Sequence, residues 1–527
     1  MVICLEKIKE EIYNATATNR NELYDSHIYW SQKPYNICDI LIKSFSQKGD
    51  IVFDPFLGSG VTLLQSIRKD NNRIGIGCEI NEAPIFIVNT LLKKYDIKKF
   101  NKISQHFIQS LKKLLPYYYT KCPYCKENAV ITSVIFDKPS RSADIVIKAI
   151  NFRCSCTSKS TKLPDNYDYK AININDVIRN IKSDFLIPNS KIAVYENQYI
   201  DQIFTKRNYL VLDKIIGIID NLEDYNDLFK YLLMSIIHLS KITDKHSSSQ
   251  WPLWIPKKDC VEKNIIDLLE KKIIKFEKTI KYLNNNYDCK ENYKLLHKGS
   301  QHINETDIKD ESVQLIITDP PYLGQVAYSE YMQLYKPFLN LNFNLEDEII
   351  VSSAPSRKKG EKQYFNDLCN VFSICSKKLK NEGYLCLYFH DSSLEVWNKL
   401  IEILSKNHFK YLSQVHIKKS NTLKNIISPK KSLNGDCILF FQKDANITTN
   451  PVGTEDISEI EQNIIKQSKY LVKTNSYLST PELYDMGLME VLIHNGWLNA
   501  LSLKYKSLVD IFEKHLVWDS TKSKWTL

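Results

Sequence analysis

Residues 50–79 read DIVFDPFLGSGVTLLQSIRKDNNRIGIGCE, and this stretch decides the fold. Asp50 to Asp54 is a short apolar strand, Val61 to Lys69 is amphipathic at helical period, and Arg73 to Glu79 is a second strand. Together they make a βαβ unit, preceded by Leu41, Ile42 and Phe45 at helical spacing. A second block of the same grammar runs from about Tyr293 to Lys443, with strands predicted at Gln314 to Thr318, Tyr384 to Phe389, Phe409 to His416 and Asp436 to Phe441. Strands alternating with helices predict a mostly parallel α/β sheet covered on both faces. Such sheets are continuous, so the two blocks are read as one Rossmann-like domain of about seven strands with an insertion between them.

Asp54-Pro-Phe-Leu-Gly-Ser-Gly60 sits where a strand meets a helix. Gly58 and Gly60 allow a tight turn and a close approach of backbone to ligand, where a Cβ would collide. Glu79 ends the next strand, about 20 residues past the glycines, where an acid accepts hydrogen bonds from both ribose hydroxyls. Leu63 occupies the place of the third glycine of the dinucleotide fingerprint, which disfavours a nicotinamide or flavin dinucleotide.

The segment from His27 to Glu79 resembles the amino-methyltransferases that modify exocyclic nitrogens of DNA bases with S-adenosylmethionine. The matching residues are Ser31-Gln-Lys-Pro34, Gly49-Asp50, Asp54 to Thr62 and Ile74 to Glu79. By this resemblance Lys33 and Pro34 help hold the methionine end of the cofactor, Asp54, Phe56, Gly58 and Gly60 form the loop, and Glu79 holds the ribose. Many relatives carry Gly-Asp on the strand that holds the cofactor's adenine, where this chain has Gly299-Ser300. Asp307 is the alternative, seven residues on, and reads rather as a loop acid.

Gln314-Leu-Ile-Ile-Thr-Asp-Pro-Pro-Tyr322 places an acid, two prolines and an aromatic ring at the carboxyl end of a buried strand, where open α/β sheets bind ligands. The lone pair of a base amino group is delocalised into its ring. The Asp319 carboxylate and the Pro320 carbonyl, in a chain stiffened by Pro321, can accept both N–H bonds and favour a tetrahedral nitrogen. Tyr322 can stack on an extruded base, a term of about 1–3 kcal/mol. Asp319, Pro320, Pro321 and Tyr322 are therefore the candidate catalytic residues. Among the amino-methyltransferases, Asp-Pro-Pro-Tyr is commoner in adenine enzymes and Ser-Pro-Pro-Tyr in cytosine enzymes, so the resemblance favours N6 of adenine with N4 of cytosine as the alternative.

Cys122-Pro-Tyr-Cys125 and Cys154-Ser-Cys156 form two tight knuckles separated by β-rich sequence. Four thiolates on two turns suit structural, tetrahedral Zn²⁺ rather than disulfides, although the second knuckle has one spacer residue where two is usual. Zinc-ribbon insertions occur in a subgroup of adenine-specific DNA methylases, which the chain also resembles at Phe204-Thr-Lys-Arg-Asn208 and Trp251-Pro-Leu-Trp254-Ile-Pro256. The implied organisation is 1–115 as the first half of the methyltransferase domain, 116–170 as zinc ribbon, 171–290 as a mainly helical insertion for target recognition, 291–445 as the second half, and 446–527 as a helical C-terminal region. Thr480, with Pro481 and Glu482 behind it, is expected to cap a helix there.

The 527 residues carry 71 Lys and Arg against 61 Asp and Glu, a net charge of +10 that suits a polyanion without requiring one. Only eight residues are Arg, the side chain suited to bidentate contacts. Arg141 and Arg207 in the insertion, Arg357 and Lys358 after the Asp-Pro-Pro-Tyr loop, and Lys418, Lys419 and Lys430 near the end of the second block are the candidate contacts to double-stranded DNA. No secretory leader and no run of 18 apolar residues is read, which predicts a cytoplasmic protein without membrane association. Restriction or phage-defence partner proteins are left open, and an RNA base methyltransferase or a catalytically silent DNA-binding subunit are the rival functions.

Overall fold

The computed structural model describes residues 3–527 except 28, 31, 138–145, 173, 175, 247–249, 251, 252, 254–258, 289–291, 324, 325, 418–435, 448–452 and 454. The described strands are β1 (Ile51–Asp54), β2 (Ile74–Glu79), β3 (Tyr119–Lys121), β4 (Asn128–Asp137), β5 (Ile147–Arg153), β6 (Thr161–Lys162), β7 (Thr243–Asp244), β8 (Asp259–Lys263), β9 (Tyr293–His297), β10 (Val313–Thr318), β11 (Leu379–Phe389), β12 (Phe409–His416), β13 (Cys437–Lys443), β14 (Val517–Asp519) and β15 (Lys524–Thr526).

Seven of them form one sheet in the order β12-β13-β11-β10-β1-β2-β9. The pairs β10–β11, β1–β10, β1–β2 and β2–β9 are parallel, and β13 runs antiparallel to both its neighbours. Both blocks thus contribute to one mostly parallel sheet, with β1 and β10 side by side although their last positions are 264 residues apart. Strand β9 is absent from the sequence-predicted set, because only Leu296 of Tyr-Lys-Leu-Leu-His is buried at this sheet edge and the apolar pattern is weak.

The central strands are buried on both faces, and their alternation divides two cores. Leu315, Ile317, Cys386, Tyr388, Ile438 and Phe440 face one core, shared with the helix Tyr35–Phe45 and with helices of the insertion. Ile316, Leu385, Leu387, Leu439 and Phe441 face the other, shared with the helices Glu361–Lys378 and Leu394–Lys406 and the C-terminal helices. Each fully buried Leu, Ile or Phe contributes about 1.5–3 kcal/mol.

Within the insertion, β4 pairs with β3, β5 and β8, and a second sheet runs β6-β5-β4-β8-β7. This sheet draws strands from both sides of residue 171, since β7 and β8 follow the helices Lys206–Asp220 and Asn226–Ser240. Beyond residue 456 the chain is mostly helical, and it ends in the hairpin β14–β15, which the sequence pattern did not predict. The helix at 480 is capped one residue earlier than expected: Ser479 Oγ accepts from Glu482 N, and the Glu482 side chain accepts from Ser479 N, a reciprocal box that Thr480 does not make.

Candidate active site

The parallel strands β1, β2 and β10 end at one edge, and the cleft lies there. The cleft is lined by residues from the first block, including Lys33, Phe56, Gly58 and Glu79, and from the second, including Asp319 and Pro321.

Asp54, the last residue of β1, is fully buried and ties the parts together. Its Oδ2 accepts from Lys33 Nζ at 3.0 Å, and its Oδ1 accepts from Phe56 N at 3.1 Å and from Thr318 Oγ1 at 2.9 Å. Thr318 ends β10 directly before Asp319, so one carboxylate holds the first segment, the glycine loop and the second motif in register. Burial works against the charge on Lys33, but Asp54 and Asp319 outweigh it and raise the Lys33 pKa. Pro34 is buried as the N-cap of the helix Tyr35–Phe45, and its carbonyl accepts from Cys38 N.

Gly58 and Gly60 adopt φ of +52° and +83°. A Cβ on Gly60 would stand 2.4 Å from Val88 Cγ2, and one on Gly58 would stand 3.0 Å from the Tyr29 ring, so neither position has room for a side chain without movement. Glu79 closes the loop from β2. Its carboxylate accepts from Gly58 N at 3.1 Å, Ile80 N at 3.0 Å and Asn81 N at 3.1 Å. Burial nonetheless pushes Glu79 up to about 7, the backbone donors from Asn81, Gly58 and Ile80 offsetting only part of that cost.

At the second motif Tyr322 Oη donates to Asp319 Oδ1 at 2.5 Å, and buried Tyr364 donates to the Pro321 carbonyl at 2.7 Å. Pro320 is buried and Pro321 half-buried. Burial and then Asp319 hold the Tyr322 pKa well above its usual value, so its hydroxyl stays a donor.

Several residues of this cleft were not singled out in the sequence: Tyr29, Asn81, Gln301, Tyr328, Asp347 and Glu348 all line it. Ser300 lines it as well, and its hydroxyl donates to the Pro55 carbonyl. Asp307 lies outside this lining, bound to Lys298 Nζ at 2.8 Å and to Asn304 N at 3.0 Å. The one sequence signal for Tyr29 and Tyr328 was their aromatic character within nine residues of Lys33 and Asp319, which is too common to single out a residue.

The four knuckle cysteines also converge. Their sulfurs all lie within 4.8 Å of one another, with Cys122–Cys156 and Cys154–Cys156 at 3.5 Å and Cys125–Cys154 at 3.7 Å. A tetrahedron of thiolates about 2.3 Å from zinc has edges of about 3.8 Å, so the donor set fits that ion.

Two candidate DNA contacts are corrected by the structure. Arg207 is 1% exposed, with Nε on Glu262 Oε1 at 2.8 Å and Nη2 on Glu262 Oε2 at 2.6 Å. Arg357 has a side chain 1% exposed, with Nε on Glu330 Oε1 at 3.1 Å, Nη2 on Glu330 Oε2 at 2.5 Å and Nη1 on the Leu345 carbonyl at 2.7 Å, and it also binds Glu348. Neither guanidinium reaches solvent, because each neutralises carboxylates that burial would otherwise leave unpaired. Lys358 is exposed. Arg141, Lys418, Lys419, Lys430, Trp251 and Trp254 lie outside the described residues.

A doubly wound sheet with a glycine loop after β1, an acid ending β2 and an Asp-Pro-Pro-Tyr loop after β10 defines a Rossmann-like methyltransferase. The N6/N4 DNA methylase family matches residues 5–89 and 313–524, more than half of the chain, and the chain belongs to that family. The matched segments flank the insertion and leave it out. The chain is similar to the type II methyltransferase M.MjaII of Methanocaldococcus jannaschii, 24% identical over 391 residues that make 69% of this chain and 71% of that protein. It is also similar to the orphan methyltransferase M.BamHII of Bacillus amyloliquefaciens, 45% identical over 64 residues (12% and 23% of the two chains), and to the type II methyltransferase M.HpaI of Haemophilus parainfluenzae, 33% identical over 90 residues (15% and 28%). In these last two matches the chain spans about a quarter of the relative. No solved structure matches it. The chain is thus a DNA methyltransferase, of a family whose cofactor is S-adenosylmethionine. Among the described residues no helix is long and apolar enough to cross a membrane.

Proposed function

We propose that the protein extrudes adenine from double-stranded DNA and methylates its N6 amino group. The observation that carries this is the shared cleft: Asp319 and Pro321 line the same space as Gly58 and Glu79, so a base amino group at the second motif faces a ligand held by the first. Lys33, Phe56, Gly58 and Glu79 would hold S-adenosylmethionine, with Glu79 on the ribose hydroxyls, Asp54 and Pro34 setting the position of Lys33, and the positive φ of Gly58 and Gly60 turning the loop tightly beneath the ligand. When bound, the cofactor supplies an electrophilic methyl group.

The chain's own residues do the rest. The Asp319 carboxylate and the Pro320 carbonyl accept the two N–H bonds of the target and pull its nitrogen toward tetrahedral geometry, freeing the lone pair. Tyr322 anchors Asp319 through its hydroxyl and offers its ring face to the base, replacing part of the stacking lost on extrusion. Adenine rather than cytosine is supported by Asp at the head of the motif. Cys122, Cys125, Cys154 and Cys156 would hold structural zinc and fix the ribbon, and the insertion around it would read the sequence. The likeness to proteins named type II methyltransferases supports a setting in restriction-modification or phage defence. Single-molecule sequencing of host DNA with and without the gene tests the proposal: N6-methyladenine in a defined motif is expected, and N4-methylcytosine or no modification would overturn it.

A further inference from the structure

Residues 184–200 of the insertion fold back on themselves as a short hairpin. Ile200 N donates to the Asp184 carbonyl at 3.0 Å and Leu186 N to the Gln198 carbonyl at 2.7 Å, while Asn189 and Val194 exchange bonds of 3.0 and 3.1 Å. Leu186, Ile192 and Val194 are buried beneath it. The hairpin is clamped to the segment that follows the catalytic loop. Ile187 N donates to Gln333 Oε1 at 2.7 Å, and Asn189 Nδ2 donates to Glu330 Oε1 at 3.0 Å, the same oxygen that accepts from Arg357 Nε. Tyr328, two residues before Glu330, lines the cleft. Position at the hairpin is thereby tied to position at the active site.

On the outside of this hairpin Phe185 is 60% exposed and Tyr199 36%, their ring centroids 4.0 Å apart. Single exposed apolar residues are common on proteins. A packed aromatic pair on a hairpin braced against the segment that follows the catalytic loop is suited to stacking on a flat partner. The surrounding charges are mixed, Lys182 and Lys191 against Asp184, Glu196 and Asp201, so attraction to phosphate does not account for it.

We infer that the Phe185–Tyr199 pair is a wedge that stacks on the DNA duplex beside the extruded base, stabilising the flipped state. The inference rests on the base-extruding function proposed above, and the partner is the substrate duplex rather than a second protein. Wedges of this kind offset the stacking lost when a base step is opened. Because the pair acts by stacking, its removal should leave the salt dependence of DNA binding unchanged.

The test uses the full chain and a duplex oligonucleotide carrying 2-aminopurine at the target position found by sequencing. Wild type should enhance the fluorescence on binding. The Phe185→Ala/Tyr199→Ala variant should keep wild-type thermal stability and S-adenosylmethionine affinity, lose most of the enhancement, and methylate about 5- to 100-fold more slowly. A mismatched target base, which needs less unstacking, should restore much of the rate. Flipping and turnover within twofold of wild type would overturn the wedge, as would a change in oligomeric state with turnover unaffected, which would assign the pair to a protein contact. Failure of the wild type itself to methylate DNA would instead overturn the underlying function.

Discussion

The edge of the large sheet and the arginines of the insertion and its neighbouring loop carry chemistry in opposite ways. At the sheet edge, Asp54, Glu79 and Asp319 each stand at or directly after a strand end; Glu79 and Asp319 line one cleft and fully buried Asp54 braces it from behind, although Asp54 and Asp319 are 265 residues apart in sequence. Arg207 and Arg357 are the same residue type that reads DNA in other proteins, yet each is enclosed by acids, Arg207 by Glu262 and Arg357 by Glu330 and Glu348. A motif bound to backbone geometry declares its position, whereas a charge declares nothing until its partner is known.

The largest effect that would break this contrast is at Asp319. Asp319→Ala should lower methyl transfer by about three orders of magnitude while S-adenosylmethionine affinity stays near wild type, since in the proposed mechanism the carboxylate acts on the target amino group. Methyl incorporation and calorimetric titration separate the two quantities. Arg207→Ala comes next, and its effect should be on stability: removing one partner of a buried pair leaves Glu262 uncompensated and costs about 3–5 kcal/mol in urea denaturation. A change in the methylated sequence at unchanged stability would restore Arg207 to the DNA interface.

Glu79 sharpens the comparison by its pH dependence. Glu79→Ala should weaken cofactor binding by about 1.5–3 kcal/mol. With its pKa raised to about 7, the group takes up protons as pH falls through that value and loses acceptor capacity. Cofactor affinity should therefore decline below about pH 7, by up to about tenfold per unit, and Glu79→Gln should flatten the profile. For folding the sign is opposite: burial disfavours the charged form, so the stabilising contribution of the neutral acid is present below about 4.5 and is lost as pH rises to about 7. The smallest effect belongs to exposed Lys358, where Lys358→Ala should change stability by less than about 0.5 kcal/mol and weaken DNA binding equally across sequences.

The sheet and its two motifs were legible because apolar strands, glycines at positive φ and a Pro-Pro step are local signatures of a backbone path. The rest of the cleft was not. Asp347 and Glu348 reach it from a segment without regular structure, and β9 escaped notice at a half-exposed edge. The burial of Arg207 had a trace in the sequence: Cys260 and Glu262 alternate inward on β8, an inward acid that requires a cation. Its identity as Arg207, 55 residues earlier, came only from the packing of the helix Lys206–Asp220 against that strand. The four cysteines were legible for the opposite reason, since two short knuckles predefine their own neighbours.

The central claim is that the cleft methylates the amino group of an extruded adenine through Asp319. Its most direct measurement is mass spectrometry of nucleosides from unmethylated duplex DNA incubated with S-adenosylmethionine and either wild type or the Asp319→Ala variant. N6-methyladenine from the wild type and about a thousandfold less from the variant at equal incubation is the predicted result; N4-methylcytosine from the wild type, or comparable N6-methyladenine from both, would contradict it.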